Sequence, residues 1–92
     1  MTTARYRPAP DIGVIDLDGV VYIAPLPDGP IRVLDDVAGA IWRTACTPGS
    51  EPVAERVARI VNQPASAIAA HVDDFLTELT GRGYLIAADP AR

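Results

Sequence analysis

The 92-residue sequence contains one cysteine, one histidine and no lysine. Cys46 cannot form a disulfide within the chain, and His71 has no second histidine or cysteine at ligand spacing, so we expect no metal site. All eight basic residues are arginines, and 12 acidic residues outnumber them, for a formal net charge of −4. Because binding to phosphates depends on positive charge, this balance disfavours nucleic acid as a partner.

Long hydrophobic runs are also missing. No stretch approaches the roughly 20 apolar residues of a membrane span, and residues 1–10 lack the apolar run of a signal peptide. These features predict a cytoplasmic protein without a membrane partner.

The length allows one small domain, which we expect at residues 11–88, between a flexible arm at 1–10 and a tail at 89–92. A small core has little stability left to hold a strained catalytic pocket. We therefore expect no enzymatic activity and no cofactor.

Segments with β character open the predicted domain. Residues 12–17 and 20–23 flank Asp18-Gly19, a pair favoured in two-residue hairpin turns because both positions need positive φ. A connection rich in proline and glycine then leads to a third short segment at residues 31–34. The pattern predicts three antiparallel strands in a meander.

After Leu34 the apolar spacing changes to the helical period of about 3.6 residues. A first helix is predicted over residues 36–46, with Asp35 or Asp36 as N-cap. A second helix is predicted after the cap Ser50, with Glu51 and Pro52 in its first turn.

A third helix is predicted to begin at Pro64 and to bury a stripe of apolar residues: Ile68, Val72, Phe75, Leu76 and Leu79. Gly81 and Gly83 can supply its left-handed C-terminal cap. Residues 84–86 then pack back or add a short strand.

This order of elements describes an α+β domain that is winged helix-turn-helix-like, with a three-stranded antiparallel sheet followed by three helices. Such a domain binds either DNA through the last helix or a peptide along a sheet edge. Asp73, Asp74 and Glu78 make one side of the third helix acidic, whereas a DNA-reading helix needs basic or amide side chains. The alternative of a winged-helix DNA-binding regulator is therefore disfavoured.

Two segments carry a family resemblance. The first runs from Leu34-Asp35-Asp36-Val37-Ala38 into Ile41-Trp42, and the second is Asp74-Phe75-Leu76-x-x-Leu79-x-x-x-Gly83-Tyr84-Leu85. With the sequence around them, residues 15–86 resemble the PqqD-like family of RiPP recognition elements, which capture the leader peptide of a ribosomally made precursor. The matching motifs consist mainly of apolar spacing and a terminal glycine.

The resemblance implies that a leader peptide adds as an extra strand to the edge of the third strand, formed by Ile31, Arg32, Val33 and Leu34. It places the facing wall on the third helix, at Ala67, Ile68, His71, Val72, Asp74 and Phe75. Small side chains such as Ala67 and Ala70 would leave a trough for a large apolar leader residue. Arg32 either discourages aggregation through the strand edge or pairs with a leader carboxylate, and these roles are compatible.

The implied function is that of a non-catalytic adaptor that presents the leader to a separate modifying enzyme. The protease or cyclase of a lasso peptide pathway is the preferred partner, and a radical SAM enzyme, as in pyrroloquinoline quinone assembly, is the alternative. A structural subunit without a peptide groove is a third interpretation. The strand edge also allows pairing with a second copy of the chain.

Overall fold

The computed structural model describes residues 5–49 and 51–87. Their elements, in chain order, are β1 (Tyr6–Pro8), β2 (Ile12–Leu17), β3 (Val20–Pro25), β4 (Arg32–Leu34), α1 (Asp36–Ala45), α2 (Val53–Val61), α3 (Ala65–Gly81) and β5 (Leu85–Ala87). The predicted α+β class is confirmed, and β2, β3 and β4 are the three predicted strands. The finer likeness to a winged helix stays a prediction.

The β2–β3 hairpin forms at the predicted turn. Asp18 and Gly19 both have positive φ, at 53° and 82°, as a type I′ turn requires. Both neighbouring pairs in the sheet are antiparallel, and the strand order is β2-β3-β4. The predicted meander is therefore confirmed, and it leaves β2 and β4 as the edges of this sheet.

The core lies between one face of the sheet and the three helices. Val21, Ile23 and Leu34 form this inner face and are at most 1% exposed. They pack in one cluster with side chains from the helices and β5: Ile41, Trp42, Val57, Val72, Leu79 and Leu85. Since this cluster joins every helix to the sheet, it fixes how α3 lies relative to β4.

The starts of the last two helices differ from the predictions. Pro52 has an extended ψ of 148°, so α2 begins at Val53 and neither Glu51 nor Pro52 belongs to its first turn. The predicted cap Ser50 lies outside the described residues. Pro64, with ψ at 141°, is the N-cap of α3 rather than its first helical residue.

The end of α3 follows the predicted glycine cap at Gly83, whose φ is 84°. The Tyr84 N–H donates to the Leu79 carbonyl at 2.9 Å, and the Gly83 N–H donates to the Thr80 carbonyl at 3.1 Å. These two bonds form a Schellman motif. Gly81 is the last helical residue, and the chain turns at Gly83 into β5, as the short-strand prediction allowed.

The N-terminal segment differs most from the prediction. Tyr6–Pro8 form β1, which pairs antiparallel with β5, and Tyr6 packs against the core. The sequence predicts no strand within the arm at residues 1–10, and this one forms because β5 offers these residues a pairing edge. Residues 1–4 and the predicted tail at 89–92 lie outside the described part of the chain. No helix that the structure describes is long and apolar enough to cross a membrane.

Candidate functional site

Arg32 joins the edge strand β4 to helix α3. Its guanidinium carbon lies 5.5 Å from the centroid of the Phe75 ring and 5.8 Å from that of the Tyr84 ring. Its Nη2 lies 3.0 Å from Glu78 Oε2. The Arg32 side chain therefore spans the space between the strand edge and the helix, held by two aromatic rings and one carboxylate.

Helix α3 presents one continuous side next to Arg32. The rings of His71 and Phe75 stack, with 6.4 Å between their centroids and 15° between their planes. One helical turn towards the N-terminus, Ala67 lies on the same side because residues four apart stack along a helix. We call the surface between the β4 edge and this side of α3 the β4–α3 groove.

The structure brings five of the predicted peptide-binding residues to this groove. Arg32 and Phe75 are in contact, and Ile68, like Phe75, is half-buried with its inner side against the core. Ala67 and His71 are exposed. The sixth predicted helix residue at the surface, Asp74, lies one turn after Ala70 and faces solvent. The five groove side chains give the groove an aromatic centre with polar groups on its solvent side.

Two predicted residues belong to the core instead. Leu34 is 1% exposed and Val72 is 0% exposed, so neither side chain is accessible to a peptide. Leu34 still lies in the edge strand and offers its backbone. The strand segment 31–34 does not show which side of Leu34 faces inward, whereas Val72 belongs to the apolar stripe that the helical spacing predicts to be buried, and that burial is confirmed.

Ile31 and Val33 lie on the other side of the sheet. They are 70% and 54% exposed, and Val33 pairs with Tyr22, whereas Leu34 pairs with the buried Val21. Because successive strand residues point to opposite faces, Val33 points away from α3. Its backbone belongs to the candidate edge, but its side chain does not line the groove.

The helical rotation separates the two alanines, Ala67 and Ala70, that were predicted to form one trough. Successive helical residues are rotated by about 100°, so Ala70 lies well away from Phe75 and towards solvent. Ala67 is the small residue that follows the line of His71 and Phe75. The two alanines therefore form a matched pair, one beside the groove and one away from it.

Glu78 and Tyr84 are groove residues that the sequence analysis did not identify. Glu78 accepts contacts from two arginines, Arg32 at 3.0 Å and Arg82 at 3.1 Å. The Arg82 contact has the i,i+4 spacing typical of helices, but nothing local in the sequence links Glu78 to a strand 46 positions earlier. Tyr84 reaches Arg32 because the Gly83 cap turns the chain back over the end of α3.

A second ion pair lies at the other edge of the sheet. Arg43 Nε donates to Asp16 Oδ2 at 2.7 Å, and its Nη2 donates to Oδ1 at 2.9 Å. This two-point contact lowers the pKa of Asp16 below its ordinary value of 3.8 and raises that of Arg43. Asp16 therefore joins the edge strand β2 to α1.

Cys46 is not a reactive thiolate at neutral pH. It lies half-buried at the end of α1 and packs against the core. Burial raises the pKa of its thiol to about 11, so the thiol stays protonated. Within residues 5–49 and 51–87, no group of three or more histidine, cysteine, aspartate or glutamate side chains is placed to hold a metal ion.

No protein-family model, curated protein or solved structure matches this chain.

Proposed function

We propose that this chain is a non-catalytic adaptor that captures a leader peptide and presents it to a separate modifying enzyme. The observation that carries the proposal is the β4–α3 groove. There β4 is an edge strand within residues 5–49 and 51–87, and it lies beside a helix with Phe75, His71 and Arg32 between them. An edge strand offers unpaired N–H and C=O groups, so an extended peptide gains main-chain hydrogen bonds there. The groove side chains then select which peptide binds.

The groove favours a peptide with one large apolar residue and one acidic residue. Side chains of an added strand alternate between the two faces of the sheet, so every second one points towards α3. An aromatic or branched apolar side chain there packs on His71 and Phe75, next to the small Ala67. A carboxylate on the peptide accepts hydrogen bonds from Arg32, while Glu78 keeps its contact with Arg82.

The partner and location are also part of the proposal. The resemblance to PqqD-like recognition elements supports a leader protease or cyclase of lasso peptide synthesis as the enzyme, with a radical SAM enzyme as the alternative. A cytoplasmic location fits a chain whose single cysteine stays a free thiol.

The acidic side of α3 weighs against DNA binding. Asp73 and Asp74 are exposed on the helix that would have to enter a groove of DNA, and carboxylates there repel phosphates. We therefore do not propose the regulator function.

A display library of random peptides, selected on the immobilised protein, tests peptide capture without knowledge of the leader. The affinities of enriched peptides are then measured by fluorescence anisotropy for the wild type, Ala67→Trp and the matched control Ala70→Trp. We expect Ala67→Trp to weaken binding about tenfold or more, because it fills the space for the peptide's apolar anchor. Ala70→Trp leaves binding unchanged, since that position points to solvent.

Equal effects of the two tryptophans would contradict the proposed site, and a library from which no peptide is enriched would contradict peptide capture itself. Circular dichroism of both variants shows that each remains folded. Synthetic peptides from short open reading frames beside the gene then test the leader assignment, because a leader binds with the same dependence on Ala67 as the selected peptides.

A further inference from the structure

The outer face of the three-stranded sheet, turned away from the helices, is apolar from one edge to the other. In the pairing register, Ile15 lies opposite Tyr22 and Tyr22 lies opposite Val33, so these residues form one row across β2, β3 and β4. Leu17 and Val20 form the next row. Ile15 is 63% exposed, Leu17 56% and Val33 54%. We call these five side chains the outer face.

The apolar surface continues beyond the strands at one end. The Leu26 side chain lies over Gly13, where an added β-carbon would lie 3.3 Å from Leu26 Cδ2. Leu26 and Ile31 are 58% and 70% exposed and, with Tyr22, border a shallow depression of about 440 Å³. Contiguous exposed apolar surface of this kind is typical of interaction sites in soluble domains.

Carboxylates border this surface at both ends. Residues 11–36 contain six aspartates and one basic residue, Arg32. Arg32 is turned towards α3, where it pairs with Glu78. Asp18 is exposed at the hairpin turn, and Asp11 and Asp28 are exposed at the opposite end of the strands. The rim of the outer face is therefore negative.

We propose that the outer face is a docking site for a second protein whose contact surface is apolar at its centre and carries lysine or arginine at its border. Burial of the apolar rows supplies affinity, and opposite charges at the rim set the orientation and speed the encounter. A second copy of this chain would bring the acidic rims together, so like charges oppose that occupant. The proposal goes beyond the proposed function and does not depend on it, because the groove lies on the other side of the sheet.

A pair of designed helical peptides serves as the probe. One has leucine on one face and lysine on the other, and its counterpart has glutamate in place of lysine. We expect the leucine–lysine peptide to bind and to shift the amide signals of β2, β3 and β4 in ¹⁵N-edited NMR spectra. The leucine–glutamate peptide does not bind, because its charges oppose the rim.

Two isoleucine variants locate the contact. Ile15 and Ile60 are each 63% exposed, but Ile60 lies on α2, away from the sheet. We expect Ile15→Ser to weaken the leucine–lysine peptide about tenfold, whereas Ile60→Ser has no effect. Val33→Ser, in the same row as Ile15, gives a second test if Ile15→Ser fails to fold.

Equal binding of the two peptides, equal effects of the two isoleucine variants, or signal shifts confined to α3 would overturn the proposal. Self-association of the protein alone in sedimentation equilibrium, if abolished by Ile15→Ser, would also overturn it and assign the face to a second copy.

Discussion

The two faces of the three-stranded sheet are similar in composition and opposite in exposure. On the inner face, Val21 and Ile23 are 0% exposed, whereas on the outer face Ile15 and Val33 are more than half exposed. A sheet covered on one side by helices ordinarily carries polar residues on its other side. Here both faces are apolar, and the helices of the described chain cover only one of them. The comparison separates residues that the fold needs from residues that are available for binding.

The largest effect expected from this comparison is on stability. Ile23→Ala empties a fully buried position, so we expect the free energy of unfolding to fall by about 2–4 kcal/mol. Ile15→Ala removes the same atoms from an exposed position, and we expect a change of about 0.5 kcal/mol or less. Urea denaturation of both variants measures the difference. Equal losses would show that the outer face is covered in solution.

A smaller effect is expected at Arg32, the charged residue that pairs with Ile23 at the β4 edge of the inner face. Its ion pair with Glu78 is partly exposed, at 28% and 39% for the two side chains, so solvent screens much of it. A double-mutant cycle with Arg32→Ala and Glu78→Ala should give a coupling of about 0.5–1 kcal/mol. High salt should reduce this coupling and leave most of the packing of Arg32 on Phe75. A coupling near zero at low salt would mean that Arg32 is not held by Glu78.

The smallest effect is expected at Asp16, on the rim of the inner face. Hydrogen bonds from Arg43 lower the pKa of Asp16, so the charged form is favoured in the folded state. Its stabilisation is present above the ordinary pKa of 3.8 and is lost as the pH falls through the lowered folded value. Asp16→Asn should therefore lower the melting temperature slightly at neutral pH and not in acid. Asp28→Asn, at an exposed position, is the control. A difference in melting temperature between the wild type and Asp16→Asn that does not change with pH would contradict this account.

Local signals in the sequence predicted much of the fold. Asp18-Gly19 specifies the hairpin turn because aspartate and, above all, glycine adopt the positive φ that the turn needs. Gly83 ends α3 for the same reason, since its φ is also positive. The pairing of β1 with β5 could not be predicted in this way. It joins two three-residue strands that are far apart in the sequence, and three residues are too few to show the alternation of apolar and polar residues that predicts a strand.

The candidate site was predicted only in part for a related reason. The third strand segment, Ile-Arg-Val-Leu at residues 31–34, has apolar residues at both odd and even positions, so it does not show which side of the strand is buried. Leu34 and Val33 were therefore grouped together, although the structure places them on opposite faces. Glu78 reaches Arg32 only through tertiary packing, which no local pattern encodes.

Hydrogen exchange of the backbone amides with a selected peptide bound is the most direct test of peptide capture by strand addition. The account predicts slower exchange for alternate amides of residues 31–35 when the peptide binds, because the N–H groups that do not bond to β3 then enter a ladder with the added strand. Amides at the β2 edge should be unchanged. Unchanged exchange at β4 with the peptide bound, or protection confined to β2, would contradict strand addition at the β4–α3 groove.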